Sequence, residues 1–249
     1  MSDRELSGTT ALVTGASRGF GRAIAAALCQ SGATVVGVAR DQAALAELSG
    51  ELGGAFIAEP ADAADPVVAG RLTDAYSPGV LVLNAGASPL SRPLHQQTWQ
   101  TFSRNWEVDV QHAFHWTREA LLRPLEPGST VIALSSGAAL AGSPLSGGYA
   151  GAKATIRFLT GYAAAESQRA GLGITFTAVL PQLTPATGLG AAAVAAYAAR
   201  DGVDVESFLA GRGPALTTEQ VGKAIADLAA AGPDRDAYLL TAAGLQPVP

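Results

Sequence analysis

The sequence predicts an α/β protein built on one doubly wound parallel sheet, and three observations predict it. Short β-branched apolar runs alternate with longer alanine- and leucine-rich stretches from one end of the chain to the other. The strand runs are apolar throughout instead of alternating with polar residues, as strands buried on both faces require. No linker, internal repeat or low-complexity tract interrupts the alternation. Strands separated by helices imply right-handed crossovers and a sheet covered by helices on both sides.

Strands are read at residues 9 to 14 (ending against Gly15), 34 to 39, 55 to 58, 80 to 84, 130 to 136, 174 to 180 and 237 to 241, each a run such as "TVVGVA" or "TVIALSS". Helices are read at 19 to 31, 41 to 49, 65 to 76, 98 to 123, 148 to 170, about 188 to 200 and 217 to 231. Asp41 and Asp65 sit where they would cap two of these helices, Asp65 directly before Pro66. The expectation is one domain, residues 1–249, with a seven-stranded parallel sheet.

Composition narrows the function classes. Apolar residues make up 48% and charged residues 15% of the 249-residue chain, which raises the question of a membrane protein. The uncharged interval between Arg169 and Arg200 answers it. That interval contains Pro181, Gln182, Thr184, Pro185 and several glycines, so it lacks the unbroken apolar run of about 20 residues a spanning helix needs. The opening "MSDRELSGTTALVTG" runs straight into a strand pattern, and a cytoplasmic, soluble protein is expected. A single cysteine, Cys29, excludes an internal disulfide and reads as a buried helix residue. A net charge of −5 without a basic run argues against nucleic acid as partner.

After the first strand comes "TGASRGFGRAIA", with Gly15, Gly19 and Gly21 spaced G-x-x-x-G-x-G. Such glycines allow a tight turn, close approach of backbone N–H groups to a pyrophosphate, and a helix aimed at it. Further on, "SGGYAGAKA" places Tyr149 one helical turn before Lys153, on the same side of a helix.

The glycine spacing resembles that of the short-chain dehydrogenase/reductase family, whose classical members have about this length and a Rossmann-type fold. Other family marks occur in order: Asn84, Ala85 and Gly86 in "LNAG", Ser136 at the end of the fifth strand, then Tyr149 and Lys153 thirteen and seventeen residues later. The resemblance covers essentially the whole chain. It implies a nicotinamide dinucleotide held by Gly15, Ser17, Arg18, Gly19, Phe20 and Gly21. Asp62 and the backbone of Ala63 would meet the adenine, and Asn84, Ala85 and Gly86 the adenosine ribose and the cofactor's spine. Where relatives preferring NAD place an acid after the second strand, this chain has Ala39 followed by Arg40. Arg40 and Arg18 would clamp a 2′-phosphate with charge-assisted hydrogen bonds, so NADP(H) is preferred over NAD(H). Asp41, a competing cue for NAD, more simply caps a helix.

The same resemblance implies the chemical roles. Tyr149 is the general acid/base, Lys153 lowers its pKa and bonds the nicotinamide ribose, and Ser136 bonds the substrate oxygen, with Ser135 as the alternative serine. A phenol with a reference pKa near 10 is a poor base at neutral pH, and a neighbouring ammonium brings that value down.

Two positions depart from the family pattern. Asp109 stands where asparagine is usual; its backbone carbonyl would hold a water in the proton path to Lys153. Its carboxylate is expected to point into helix contacts, so that Asp109→Asn leaves turnover nearly intact. Gln182 follows Pro181 where glycine is usual, and would narrow the site, bond the substrate or simply be tolerated. The threonine that bonds the nicotinamide carboxamide is Thr184 or Thr187.

Residues 185–215 are expected to form an apolar flap over an uncharged substrate. His95, His112 and His115 lack metal-site spacing; since the helix 98 to 123 and the one carrying Tyr149 form the four-helix subunit contact in the family it resembles, His112 and His115, with Trp106 and Trp116, are expected to pack at a subunit interface of a homodimer or homotetramer. The leading reading is an NADPH-dependent reductase with a small-molecule carbonyl or alcohol substrate. The alternatives are imine-directed or redox-neutral biosynthetic chemistry on the same scaffold, and a non-catalytic dinucleotide-sensing protein.

Overall fold

Leu12 and its neighbours Ala11 and Val13 point to opposite sides of one strand, and all three are fully buried. Apolar side chains on both faces therefore have helices to cover them, which is what the unbroken apolar runs of the sequence demand. In the computed structural model, which describes residues 6–248, β1 (Thr10–Thr14) lies third in order within one eight-stranded sheet. The others are β2 (Thr34–Ala39), β3 (Phe56–Pro60), β4 (Val80–Leu83), β5 (Thr130–Leu134), β6 (Thr175–Pro181), β7 (Ala237–Thr241) and β8 (Gly244–Pro247). Their spatial order is β3-β2-β1-β4-β5-β6-β7-β8. Strands β1 to β7 are parallel, as the sequence predicts. The eighth, β8, was not predicted; it turns back and pairs antiparallel with β7.

One face of the sheet carries α1 (Gly19–Gln30), α2 (Gln42–Leu52) and α10 (Thr218–Ala231). Ile24, Leu28, Leu45, Leu48 and Ile225 pack there with Val13, Val35 and Val179. The other carries α3 (Pro66–Tyr76), α5 (Gln111–Leu122) and α7 (Gly147–Ala170), with Leu72, Trp116 and Ile156 against Leu12, Val36 and Phe176. The predicted helix 98 to 123 is in fact three pieces: α4 (Trp99–Asn105), a π-helical turn (Trp106–Val110) and α5. Beyond β5 lies the short α6 (Ala138–Ala141), and beyond β6 come α8 (Gly188–Asp201) and α9 (Val205–Ala210).

Helix starts obey the capping rules closely. Asp41 accepts from the Ala44 N–H, Asp65 from that of Val67 with Pro66 behind it, and Asp204 from that of Ser207. Thr98, Thr187 and Thr217 do the same for α4, α8 and α10. Helices α1 and α7 have no side-chain cap. Their first-turn N–H groups are left for something else, and both helices begin at the carboxyl edge of the sheet. Among the described residues no helix is long and apolar enough to cross a membrane.

Candidate active site

Strand order reverses between β1 and β4, and the crevice beyond that point is where open α/β sheets bind ligands. Gly15 leaves β1 with φ +68° and Gly19 enters α1 at φ +55°, conformations that side-chain-bearing residues rarely adopt. A Cβ on Gly21 would lie 2.1 Å from the Gly15 carbonyl oxygen, so only glycine lets the turn close. The turn is fastened to β4. The Asn84 side-chain amide donates to the carbonyls of Thr14 (3.0 Å) and Gly15 (3.3 Å), and Thr14 Oγ1 accepts from the N–H of Asn84 (2.9 Å) and Ala85 (3.1 Å). Thr14, which sequence reasoning missed, is thus the joint between the two strand ends. The result is a backbone cradle at an uncapped helix N-terminus, with no acid in the first turn of α1, which fits a bound pyrophosphate.

Around the cradle, Ser17, Phe20 and Ala85 are partly buried, while Arg18, Arg40 and Gly86 are exposed. Arg40 Nη1 lies 3.9 Å from Asp62 Oδ2, a solvent-exposed pair. Asp62 also accepts from the Ala64 N–H, and the carbonyl of buried Ala63 accepts from Trp116 Nε1 at 2.8 Å. Asp41 is engaged as the cap of α2.

At the end of β5 the two serines have separate surroundings. Ser135 is buried and donates to the Lys153 carbonyl at 2.7 Å, fixing α7 to the sheet. Ser136 is partly exposed and its Oγ accepts from the Ala138 N–H at 3.2 Å, which leaves its own proton to give. Tyr149, in the first turn of α7, is partly buried, and the Lys153 ammonium lies 5.6 Å from its ring centroid. Lys153 is 6% exposed and donates to the Leu134 carbonyl at 3.1 Å.

Asp109 requires a correction. Its carboxylate does not turn away into helix contacts: Oδ2 lies 3.3 Å from Lys153 Nζ, and both groups are buried. The other oxygen, Oδ1, accepts from the Ala87 N–H (2.8 Å) and from Asn105 Nδ2 (3.3 Å). Asn105 in turn donates to the Ala87 carbonyl at 2.7 Å, a second buried polar residue the sequence reading passed over. Burial alone would lower the Lys153 pKa, but the Asp109 charge, with Tyr149, outweighs it and holds the ammonium above the ordinary lysine value.

The β6 end also differs from expectation. The Pro181 carbonyl accepts from the Gly137 N–H at 2.9 Å, which ties β6 to the residue after Ser136. Gln182 neither reaches for a ligand nor stands idle: its amide donates to the Pro214 carbonyl at 3.2 Å and secures the loop before α10. Thr184 is buried and gives its hydroxyl proton to the Leu216 carbonyl, so that hydroxyl is spent within the fold. Thr187 is the threonine facing the glycine turn, its Cγ2 within 3.5 Å of where a Gly19 Cβ would stand.

The histidine expectation fails for His112. It is 1% exposed in the isolated chain, edge-on to the equally buried Trp116, so neither residue is available to a partner subunit. Burial, with Lys153 and His115 nearby, pushes the His112 pKa down to about 3. Cys29 is partly buried, and burial pushes its thiol up to about 11.

A family model described as short chain dehydrogenase matches residues 9–200. A short chain dehydrogenase/reductase of Macrophomina phaseolina is 34% identical over 149 residues, covering 55% of this chain and 85% of that protein. A protein of Sus scrofa named carbonyl reductase (NADPH) 2 is 32% identical over 158 residues, 62% of this chain and 64% of its own. Among solved structures, a 3-ketoacyl-(acyl-carrier-protein) reductase from Brucella melitensis complexed with NADH superposes with a TM-score of 0.74 at 25% identity, over 90% of this chain and 91% of that one. The chain belongs to the short-chain dehydrogenase/reductase family and is an oxidoreductase of that class. A nicotinamide dinucleotide is the cofactor this family implies, and the cradle of Gly15, Gly19 and Gly21 fits one.

Proposed function

We propose that this protein is an NADPH-dependent carbonyl reductase, converting a small or medium apolar ketone or aldehyde reversibly to the alcohol. The observation that carries the reading is the buried Lys153 beside the Tyr149 ring and bound to the Leu134 carbonyl at the carboxyl end of β5, two residues before Ser136, in a fold whose glycine turn suits a pyrophosphate. The dinucleotide, when bound, supplies the hydride. The protein's own residues supply the rest. Ser136 donates to the carbonyl oxygen and aligns it, and Tyr149 gives its hydroxyl proton to that oxygen as negative charge develops. The carbonyl carbon gains the hydride, its oxygen gains the proton, and the C=O becomes CH–OH. Lys153 offers its ammonium to the ribose and stabilises the phenolate left behind.

NADPH is favoured over NADH because Arg40 and Arg18 are exposed cations beside the crevice while Asp41 is spent as a helix cap. Residues 185–215 act as the flap. Val194, Ala198 and Phe208 pack into an apolar unit, and the Tyr197 hydroxyl bonds Ser143, on the loop between Ser136 and Tyr149. An apolar cover of this kind selects an uncharged substrate. Exposed Phe114 and Leu122 on α5, with Phe158 and Tyr162 on α7, support a homodimer or homotetramer of a cytoplasmic protein.

The test is a titration of the purified protein with NADPH and NADH, then a panel of ketones, aldehydes and imines with the preferred dinucleotide. Turnover of apolar ketones or aldehydes that is lost in Tyr149→Phe is expected. Binding of NADPH without oxidation by any of the panel, or a Tyr149→Phe variant as active as the parent, would end the carbonyl-reductase reading.

A further inference from the structure

The buried Lys153 ammonium is held among groups from several elements. It donates a hydrogen bond to the Leu134 carbonyl of β5, Tyr149 lies one turn back on α7, Asp109 reaches it from the π-helical turn, and the buried His112 of α5 is near enough to feel its charge. His112 is kept uncharged across the working pH range, and His115 acts on this cluster through it. The charge set against the ammonium is therefore the Asp109 carboxylate. That carboxylate is clamped: Oδ1 holds two donors, and Oδ2 presses so closely on Gly86 that a Cβ there would be 2.8 Å away. It has no room to swing aside when a ligand enters.

An ammonium alone beside a phenol favours the phenolate. A carboxylate 3.3 Å from that ammonium cancels much of its field at the phenol and adds a negative charge of its own. We propose that Asp109 is a positioning residue that pairs with Lys153 and opposes the pull of its ammonium on the Tyr149 proton, so that the site is set to give a proton and reduce a carbonyl. It is correspondingly a poorer base for oxidising an alcohol than a site with the ammonium alone. This rests on the carbonyl-reductase reading for its consequence, though not for its physical content. No reactant beyond that reaction is needed: the carbonyl oxygen takes the Tyr149 proton, and the phenolate recovers one from solvent.

The test uses the cofactor-free protein. The ultraviolet absorbance of phenolate is followed against pH in the wild type and in Tyr149→Phe, and the difference is the titration of Tyr149. Expected is a midpoint lower in Asp109→Asn than in the wild type by about one pH unit or more. Asn keeps an oxygen for the Ala87 N–H, and thermal unfolding followed by circular dichroism checks that the variant folds. Alcohol oxidation with NADP gives the second readout: its rise with pH begins about one unit earlier in Asp109→Asn. A merely structural role for Asp109 would scale the rates and leave the profile in place. The proposal is overturned if Asp109→Asn leaves the midpoint where it was or raises it. Should that variant not fold, the same titration of Asp109→Ser decides. Since it needs neither substrate nor cofactor, it stands apart from any failure of the substrate panel.

Discussion

Gly148 lies so close to the backbone of Phe102 that a Cβ there would stand 2.0 Å from the Phe102 carbonyl oxygen and 2.9 Å from its carbon. This contact sets the distance between α4 and α7, one residue before Tyr149. The obstacle is main chain and cannot rotate away, so Gly148→Ala must push the start of α7 outward and carry the tyrosine with it. Overpacking of this kind costs about 1–3 kcal/mol, and a displacement of about 1 Å at a reacting group costs roughly a hundredfold in rate. Denaturant unfolding and kcat with the preferred dinucleotide measure the two effects. A variant with wild-type stability and rate would mean that α7 is not located by this contact.

Arg40 provides the second prediction. In the proposed complex its guanidinium leaves the exposed pair with Asp62 and bonds the 2′-phosphate of NADPH, a group NADH lacks. One charge-assisted hydrogen bond is worth about 1.5–3 kcal/mol, so Arg40→Ala should weaken NADPH about tenfold or more while NADH binds as before. Quenching of protein fluorescence by each dinucleotide reads both affinities. Equal weakening of the two, or tighter binding of NADH to the wild type, removes the basis for the NADPH preference.

How much of this was legible in the sequence depends on what each residue's position required. The parallel strands were readable because burial on both faces leaves continuous apolar runs; Leu12 and Val13 serve different faces of β1 yet look alike in sequence. Tyr149 and Lys153 were readable because one helical turn fixes their shared side. The direction of Asp109 was not. It lies in the π-helical turn, and the extra residue there rotates the rest of the helix by about 100° relative to a uniform helix of 3.6 residues per turn. That same shift defeats any face assignment for His112 and Trp116, which the family resemblance gave to a subunit interface. The Gln182 and Thr184 contacts were illegible for a different reason. Their partners, the carbonyls of Pro214 and Leu216, are 32 residues away in the chain, and no local pattern announces them.

His112 gives the fold a sensitivity to acid. In the unfolded chain its imidazole takes a proton near pH 6.5, whereas in the folded protein burial, with Lys153 and His115, holds protonation off until about pH 3. Between those values the unfolded state carries the extra proton, so folding stability is complete above about pH 6.5 and falls as the pH drops toward 3. The slope from this one group is up to about 1.4 kcal/mol per pH unit. Chemical unfolding at a series of pH values from 7 to 4 should give a declining stability in the wild type and a flatter curve in His112→Leu. Parallel curves for the two proteins would assign the acid sensitivity to other groups.

Ser135 and Ser136 are neighbours with opposite duties, and substitution should separate them. Ser135 is buried, its hydroxyl given to the Lys153 carbonyl, so Ser135→Ala loses one internal hydrogen bond and about 1 kcal/mol of stability. The Lys153 ammonium keeps its Leu134 and Asp109 partners in that variant, and turnover should fall by no more than about the fivefold that corresponds to 1 kcal/mol. Ser136 is partly exposed at the rim of the crevice, and its hydroxyl proton is free for a substrate oxygen. Removing a donor to a developing oxyanion costs roughly a hundredfold or more in kcat, so Ser136→Ala should lose that much rate with an unchanged unfolding midpoint. The pattern to measure is therefore a crossed one, stability for the first serine and rate for the second. If Ser135→Ala proved the inactive variant and Ser136→Ala the active one, the substrate oxygen would have to be sought on the other side of β5.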